Sequence, residues 1–340
     1  MMTKKKPTIS DVAKLADVSP AAVSMALSGK GRISTWTAQR INDAIDQLGY
    51  VRNNNAAALR SGKTGLIAVM MHGLERRFNL EVLQGLNAKI DCDNKVAFIL
   101  IYETALDLDN RLNIALNYNV DGIIIVSPTH ISKSIELRLQ NQTIPFATIA
   151  FTNQLSDHNH FCVDAASVSA LATQYLIDNG HIHIAFVGGN MKSYDRAEKL
   201  AGYFSTLRKN NIKDDRSLIL PEGDNLQNTA EGVEKLISSH PWLTAILCYD
   251  ELATKGTVTG INNRGRTVGK DNYIERDISL IALEKIDEAE YGAPSITCVD
   301  YSAFQMGWNA AHILIQKIDN HQEIITLSHP GPTLILRNSA

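Results

Sequence analysis

The side chains able to bind or transform a partner fall into two sets of different character. The first is cationic and gathered at one end: Lys30, Arg32, Arg40, Arg52, Arg60 and Lys63 lie among the polar helix-start residues Thr8, Ser19 and Ser34. Residues 1–63 hold ten Lys/Arg against four Asp/Glu, a balance of +6, whereas the rest of the chain holds 23 against 32, a balance of −9. Guanidinium and ammonium groups beside helix-terminal N–H groups suit phosphate oxygens, so this end points to a polyanion. The second set is scattered. His72, His130, His158, His160 and Asp250 could be gathered into a hydrolase or sugar-modifying site, but no nucleophile elbow or metal-ligand spacing joins them. Asp157-His158-Asn159-His160 reads more simply as a surface turn, so neither catalysis nor a metal is expected.

The elements that carry the cationic set are short helices. Thr8 followed by Asp11 can cap a first helix whose apolar face is Val12, Ala13, Leu15 and Ala16. Ser19-Pro20 starts a second, which carries Ala22, Val23, Ala26 and Leu27 and ends at Gly29. Ser34 opens a third, with Ile41, Ile45 and Leu48 on one side before Gly49. Two helices joined by a tight turn and closed by a third make a helix-turn-helix module; a three-helix capping bundle has the same periodicity, and the charge favours DNA.

From Leu66 the pattern becomes apolar strands alternating with longer helices. Strands are expected at 66–71, 96–101, 122–126, 146–150, 184–187, 245–248 and 278–282, with helices at 81–91, 109–118, 167–179 and 196–210 between them. Continuous Val/Ile/Leu runs of this kind suit buried parallel strands, so the fold class is α/β. Ligands in open sheets lie beyond the carboxyl ends of strands, which selects the loops after Met71, Ser127, Phe151, Gly189, Cys248 and Leu283. No glycine-rich nucleotide fingerprint follows the first strand. The cysteines Cys92, Cys162, Cys248 and Cys298 are spaced singly beside apolar runs, so inert buried thiols in a reducing compartment are expected. No stretch approaches 18 apolar residues and no apolar signal region follows Lys4-Lys5-Lys6, so a cytoplasmic protein is expected, associated with the nucleoid through DNA.

The run from Pro7 to Ser19, then Ala22 to Gly29 and Gly49-Tyr50, resembles the opening signature of the lactose/galactose repressor family. Val120-Asp121-Gly122-Ile123-Ile124, Cys162-Val163-Asp164, Asn179 to Gly189 and Gly331 to Ser339 resemble later segments of the same family, so the likeness runs nearly the whole length. The segments Ser28 to Ser34 and Val51-Arg52-Asn53, and the length of chain from Gly256 to Asp277, mark one branch of it. The resemblance implies four parts: a helix-turn-helix domain over 1–50, a hinge helix and linker over 51–63, a first effector-binding lobe over 64–163 plus 297–325, and a second over 164–293 plus 328–340. The two lobes are of periplasmic-binding-protein type with parallel sheets, and the crossovers are expected near 162–165, 293–297 and 324–328.

The same resemblance assigns residues. The second helix enters the major groove with Pro20, Ala21, Ser24 and Met25 facing DNA. Met25 stands where the family often has an arginine, so it either reads a thymine methyl or fills a gap. Ser19, Ser34 and Thr37 are donors to phosphate, and Arg32 reaches a base edge, reaches the backbone or is a solvated loop charge. Asn53, Ala56 and Leu59 belong to the hinge, Leu59 being an apolar wedge for the minor groove. Between the lobes, Phe78, Arg196, Tyr249, Asp250 and Glu284 face a small-molecule effector, with Arg76 beside Phe78. Asp250 as a plain helix cap and Glu284-Lys285 as a solvated surface pair are the structural alternatives. Tyr249 and Glu284 depart from the family's common pattern, so the effector, a sugar or sugar derivative by class, stays unnamed. Leu80, Leu83, Leu86 and Ile90 are expected to contribute to a homodimer that reads a palindromic operator. The rivals are an enzyme on a doubly wound fold and a sugar receptor without DNA function; the basic leading module argues against both.

Overall fold

The computed structural model describes residues 6–28, 32–51, 62–128, 131–150, 160–221, 225–269, 277–286, 294–319 and 331–340. The chain divides into two compact units, Met1–Thr64 and Gly65–Ala340. In the first, α1 (Ile9–Leu15) opens on a reciprocal capping box: Asp11 Oδ2 accepts from the Thr8 backbone N–H at 2.8 Å, and Thr8 accepts from the Asp11 N–H. The turn that follows places Asp17 at φ 50°, a left-handed conformation that aspartate tolerates better than most residues. Ser19 then accepts from the Ala22 N–H at 3.2 Å to start α2 (Pro20–Ser28), and Ser34 accepts from Thr37 to start α3 (Thr35–Leu48). Val12, Ala13, Ala16, Val23, Ile41 and Ala44 form the core between the three helices. Leu15, expected on that apolar face, is 46 % exposed: the face turns through 12, 13 and 16, and residue 15 lies outside it.

The second unit holds two sheets. The first is fully parallel in the order β2 (Val96–Tyr102), β1 (Leu66–His72), β3 (Gly122–Ser127), β4 (Phe146–Ala150), β5 (His160–Cys162). Ile67 to Met71 are wholly buried because the central strand is covered on both faces, which is why it reads as an unbroken apolar run. The second sheet runs β12 (Thr333–Ile335), β11 (Thr297–Asp300), β10 (Asp277–Ala282), β8 (Ala245–Cys248), β6 (Ile184–Val187), β7 (Ile219–Leu220), with β9 (Thr267–Val268) beside β10 and only β12 antiparallel. α4 (Arg77–Cys92) follows β1, α5 (Ala105–Asn117) follows β2 and α6 (Lys133–Asn141) follows β3. In the second lobe α7 (Ala165–Asp178), α8 (Tyr194–Lys209), α9 (Leu226–Ser239) and α10 (Glu251–Asn263) play the same part.

One boundary moves. The strand Thr297–Asp300, expected to open the return to the first lobe, pairs with β10 in the second sheet, so that crossing runs through Tyr301 and Ser302 rather than 293–297. The next helix, α11 (Ala303–Ile318), packs against α4, β3 and β4 of the first lobe. The turn is sharp enough to hold Ser302 at φ 54°. The crossing expected at 324–328 lies outside the described residues.

α4 and α11 meet backbone to backbone. A Cβ on Gly85 would lie 2.0 Å from the Phe304 carbonyl oxygen, and one on Gly307 would lie 2.2 Å from that of Val82. This crossing fixes the starts of both helices, where Arg76 and Tyr301 stand. It also draws Leu86 and Ile90 into the core, so these two, expected at a subunit interface, are unavailable to a partner; Leu80 is 39 % exposed and Leu83 is partly buried. At an uncrowded helical position Gly→Ala stabilises by about 1 kcal/mol. Gly307→Ala should instead destabilise by ~1–3 kcal/mol through overpacking, read as a lowered denaturation midpoint in urea. A midpoint at or above that of the unsubstituted protein would show that the helices do not meet in this way.

Candidate functional site

The DNA-facing candidates of α2 lie at its start and along its solvent face. Val23 is turned wholly into the core and Ala21 and Met25 are exposed on the opposite face, with half-buried Ser24 at its edge; Ser19 and Pro20 share Val23's side by spacing and are exposed because they stand at the open first turn. At the start of α3, the Ser34 and Thr37 hydroxyls are 2.8 Å apart, and Thr37 N–H donates to Ser34 at 3.1 Å. Arg32 is exposed just before them. Trp36 is 67 % exposed, with the Arg40 guanidinium 4.5 Å from its ring centroid; Arg40 also pairs with Asp17 at 3.5 Å. Asn53, Ala56 and Leu59 lie outside the described residues.

The effector candidates have a different fate. Strand ends of the second sheet deliver Tyr249 after β8 and Glu284 after β10, and the first turn of α8 delivers Asp195 and Arg196. Arg76 comes from the other lobe, as the residue that caps α4. Its guanidinium pairs with Glu284 and lies 3.6 Å from Asp195 Oδ2. Lys199, one turn along α8 from Asp195, is wholly buried, with Nζ 3.4 Å from Asp195 Oδ2 and 3.6 Å from Glu284 Oε1. Tyr249 completes the group: its hydroxyl donates to Asp195 Oδ2 at 2.5 Å, and the Lys199 ammonium lies 4.1 Å from its ring centroid. Two cations therefore face two carboxylates; Lys199, Asp195 and Glu284 are nearly cut off from water while the Arg76 side chain stays 31 % exposed, and the pairing makes burial of the other three tolerable.

The electrostatics agree. Burial works against the charged form of Arg76, but Glu284 together with Tyr249 and Asp195 outweighs it and raises the guanidinium well above its ordinary value. Phe78 is in the first turn of α4 rather than in a loop; it is 3 % exposed and packs against Tyr301 with ring centroids 5.6 Å apart. A second pair joins the lobes where Lys285 Nζ lies 3.6 Å from Glu81 Oε1. Beside this pair a small hollow, lined among others by Arg77, Phe78, Glu81, Lys285, Asp300 and Tyr301, has room for about one water molecule.

Two expected ligand contacts are engaged within the protein. Arg196 is 7 % exposed and its Nε donates to the Gly188 carbonyl at 2.9 Å, beneath Gly189, whose φ of 78° and contact with the Arg196 and Tyr249 side chains leave no space for a Cβ. Asp250 caps α10, accepting from the Ala253 N–H at 2.8 Å. Glu284 is no solvated surface residue, being 5 % exposed inside the cluster. Sequence reasoning missed Lys199, Asp195 and Tyr301. The spacing of Asp195 and Lys199 by four residues also describes a surface ion pair, and only the packing of α8 tells the two apart.

Four tyrosines report on this packing. Burial raises the phenols of Tyr102, Tyr203, Tyr249 and Tyr301, Tyr102 to about 12; Asp195 adds to the effect at Tyr249 and Glu284 at Tyr301. Their folded values exceed the unfolded value of about 10, so their contribution to stability is complete below that pH and is lost as pH rises through the folded values. An ultraviolet titration at about pH 11 should leave at least four of the ten tyrosines protonated while the chain stays folded. Ionisation of all ten near pH 10 with the fold intact would contradict this packing.

Residues 64–330 match the family described as periplasmic binding proteins and sugar binding domain of LacI family, and residues 8–53 match bacterial regulatory proteins, lacI family. The chain is 34 % identical over 327 residues to the maltose regulon regulatory protein MalI of Escherichia coli K12, covering 95 % of each. It is 25 % identical to the transcriptional repressor PurR of Vibrio atlanticus, over 95 % of this chain and 96 % of that one. In fold it resembles the Lac repressor bound to ONPG in its repressed state (TM-score 0.83, 20 % identity, 99 % and 100 % of the two chains). A transcriptional regulator CelR–cellobiose complex is similar at TM-score 0.67 and 20 % identity, over 98 % and 100 %. These relatives are regulators of transcription rather than enzymes, and no helix among the described residues is long and apolar enough to cross a membrane. The chain belongs to the LacI family of bacterial regulatory proteins and is a DNA-binding transcriptional regulator.

Proposed function

We propose that the protein is a cytoplasmic, homodimeric repressor that reads a palindromic operator, with the four-part division at 1–50, 51–63 and two lobes, the return to the first lobe beginning after Asp300. The observation that carries this reading is the accessible surface of α2, where Pro20 at the first turn and Ala21 and Met25 opposite the buried Val23 are exposed and Ser24 is half-buried, on a unit of net positive charge. One such face offers few base contacts, and two related by a two-fold axis double the reading surface. Met25 brings an apolar surface suited to a thymine methyl, Ser19, Ser34 and Thr37 bring hydroxyls suited to phosphates, and Arg32 adds a cation beside them. Asn53, Ala56 and Leu59 act in the hinge, with Leu59 wedged between base steps. The effector, of the sugar or sugar-derivative class, sits between the lobes against the strand-end group of Tyr249 and Glu284, with Phe78, Arg196 and Asp250 behind them, and its binding changes operator affinity through lobe closure.

Purified full-length protein should retard a fragment of its own promoter more strongly than random DNA, with log affinity falling by about 0.9 per phosphate contact for each unit of log salt. Equal retardation of promoter and random fragments would overturn the operator reading. Leu59→Ala should weaken promoter binding by at least about tenfold, the equivalent of 1.4 kcal/mol, with little change on random DNA. Equal losses on both would assign Leu59 to stability instead.

A further inference from the structure

The interlobe cleft already holds a ligand of a kind, and it belongs to the protein. Arg76 comes from the first lobe and ends among groups of the second: paired with Glu284, 3.6 Å from Asp195 Oδ2, and 5.8 Å from the ring centroid of Tyr249. A guanidinium set against an aromatic ring and two carboxylates is how an organic cation is recognised in general. Arg76 occupies these contacts itself, so a molecule that takes up the same carboxylates and ring takes the place of the guanidinium.

The charges then limit what can enter. With Arg76 in place, its charge and that of Lys199 balance Asp195 and Glu284. With Arg76 displaced, Lys199 is the one cation among the described residues left paired with both carboxylates, which are 1 % and 5 % exposed. A neutral molecule leaves one buried negative charge uncompensated, and an anion adds to the imbalance; losing one partner of a buried pair is costly because of the charge left behind. A cationic group restores the balance. Asp195 Oδ1 is buried without a hydrogen-bond partner, an acceptor in the same group that a ligand N–H or O–H would satisfy.

We propose that Arg76 is a tethered stand-in for the effector and that the slot it fills binds an organic cation, so that the effector carries an amino or guanidino group, as a hydroxylated amine such as an amino sugar does. This rests on the reading of the cleft as the effector site and narrows its ligand class. Displacing Arg76 also severs an interlobe contact, which gives the ligand a means of altering how the lobes close.

Two experiments on the full-length protein test this. In the first, Arg76→Ala is followed by thermal unfolding with n-propylguanidinium, n-propylammonium, n-propanol or propionate added. The cations should restore stability to the variant at concentrations at least about tenfold below any effect of propanol or propionate, and should stabilise the unsubstituted protein only at concentrations at least about tenfold higher, because there they must first displace Arg76. Equal effects of cation and alcohol, or equal effects on both proteins, overturn the proposal. Should Arg76→Ala fail to fold, Arg76→Met keeps the apolar stem and serves in its place. In the second, operator affinity of the unsubstituted protein is measured with D-glucosamine, agmatine, D-glucose and D-glucose 6-phosphate. A response to glucosamine or agmatine that glucose lacks supports the proposal and separates the amino-sugar source from the guanidine source. A response confined to glucose or its phosphate overturns the cationic class while leaving the effector reading intact. Cation rescue of Arg76→Ala with no response to any of the four compounds keeps the slot but counts against these cations as effectors; absence of both overturns the proposal itself.

Discussion

The contact on which the ligand-binding unit depends is the reach of Arg76 across the cleft to Glu284 and Asp195. It is a costly arrangement. Asp195, Lys199 and Glu284 have given up nearly all their water, and hydrophobic residues of like volume would pack there at no such cost. The surroundings are fitted to keep it: the α4–α11 crossing at Gly85 and Gly307 fixes the helix start from which Arg76 projects, and Gly189 lets the backbone lie close over Arg196 and Tyr249. The charged group sits where the two lobes meet, on the short route from β11 through Ser302 to α11. On the proposed function, a change in its occupancy acts on lobe closure, the movement through which a ligand would be felt at DNA.

The DNA-binding unit follows different rules. Its core is small, and its helices rely on caps that are legible residue by residue: Thr8 with Asp11, Ser19, Ser34, and Gly49 in the left-handed conformation. Met25 and Trp36 are apolar side chains left exposed on a unit of net positive charge, which suits contact with base methyls and sugar rings as well as phosphates.

Much of this was written plainly in the chain because the deciding interactions are local. Helix starts are set by hydroxyl and carboxylate caps a few residues away, and the central strands are apolar runs such as Ile67 to Met71 that only a doubly covered strand requires. The short strands at 160–162, 219–220, 267–268, 297–300 and 333–335 were not legible, since their pairing is decided by distant partners; His160, expected in a surface turn, pairs with Thr148, and Thr297 in β11 binds the distant Arg337 and Ser339. The effector group was half legible. Tyr249 and Glu284 stand at strand ends, where ligands are expected, whereas Lys199 lies mid-helix and looks like any solvated lysine until α8 is packed. Arg196 and Asp250 were the right type of residue near the right place, yet each is engaged by the nearby backbone, at Gly188 and at Ala253.

The central claim is that the interlobe charge group and the operator are thermodynamically coupled, and Glu284→Gln tests it most directly because it removes a charge and keeps the shape. The operator affinity of this variant, measured without added ligand, should differ from that of the unsubstituted protein by at least about fivefold, a coupling of ~1 kcal/mol, with the salt dependence of binding unchanged because no phosphate contact is lost. A well-folded Glu284→Gln protein with unaltered operator affinity would contradict the account.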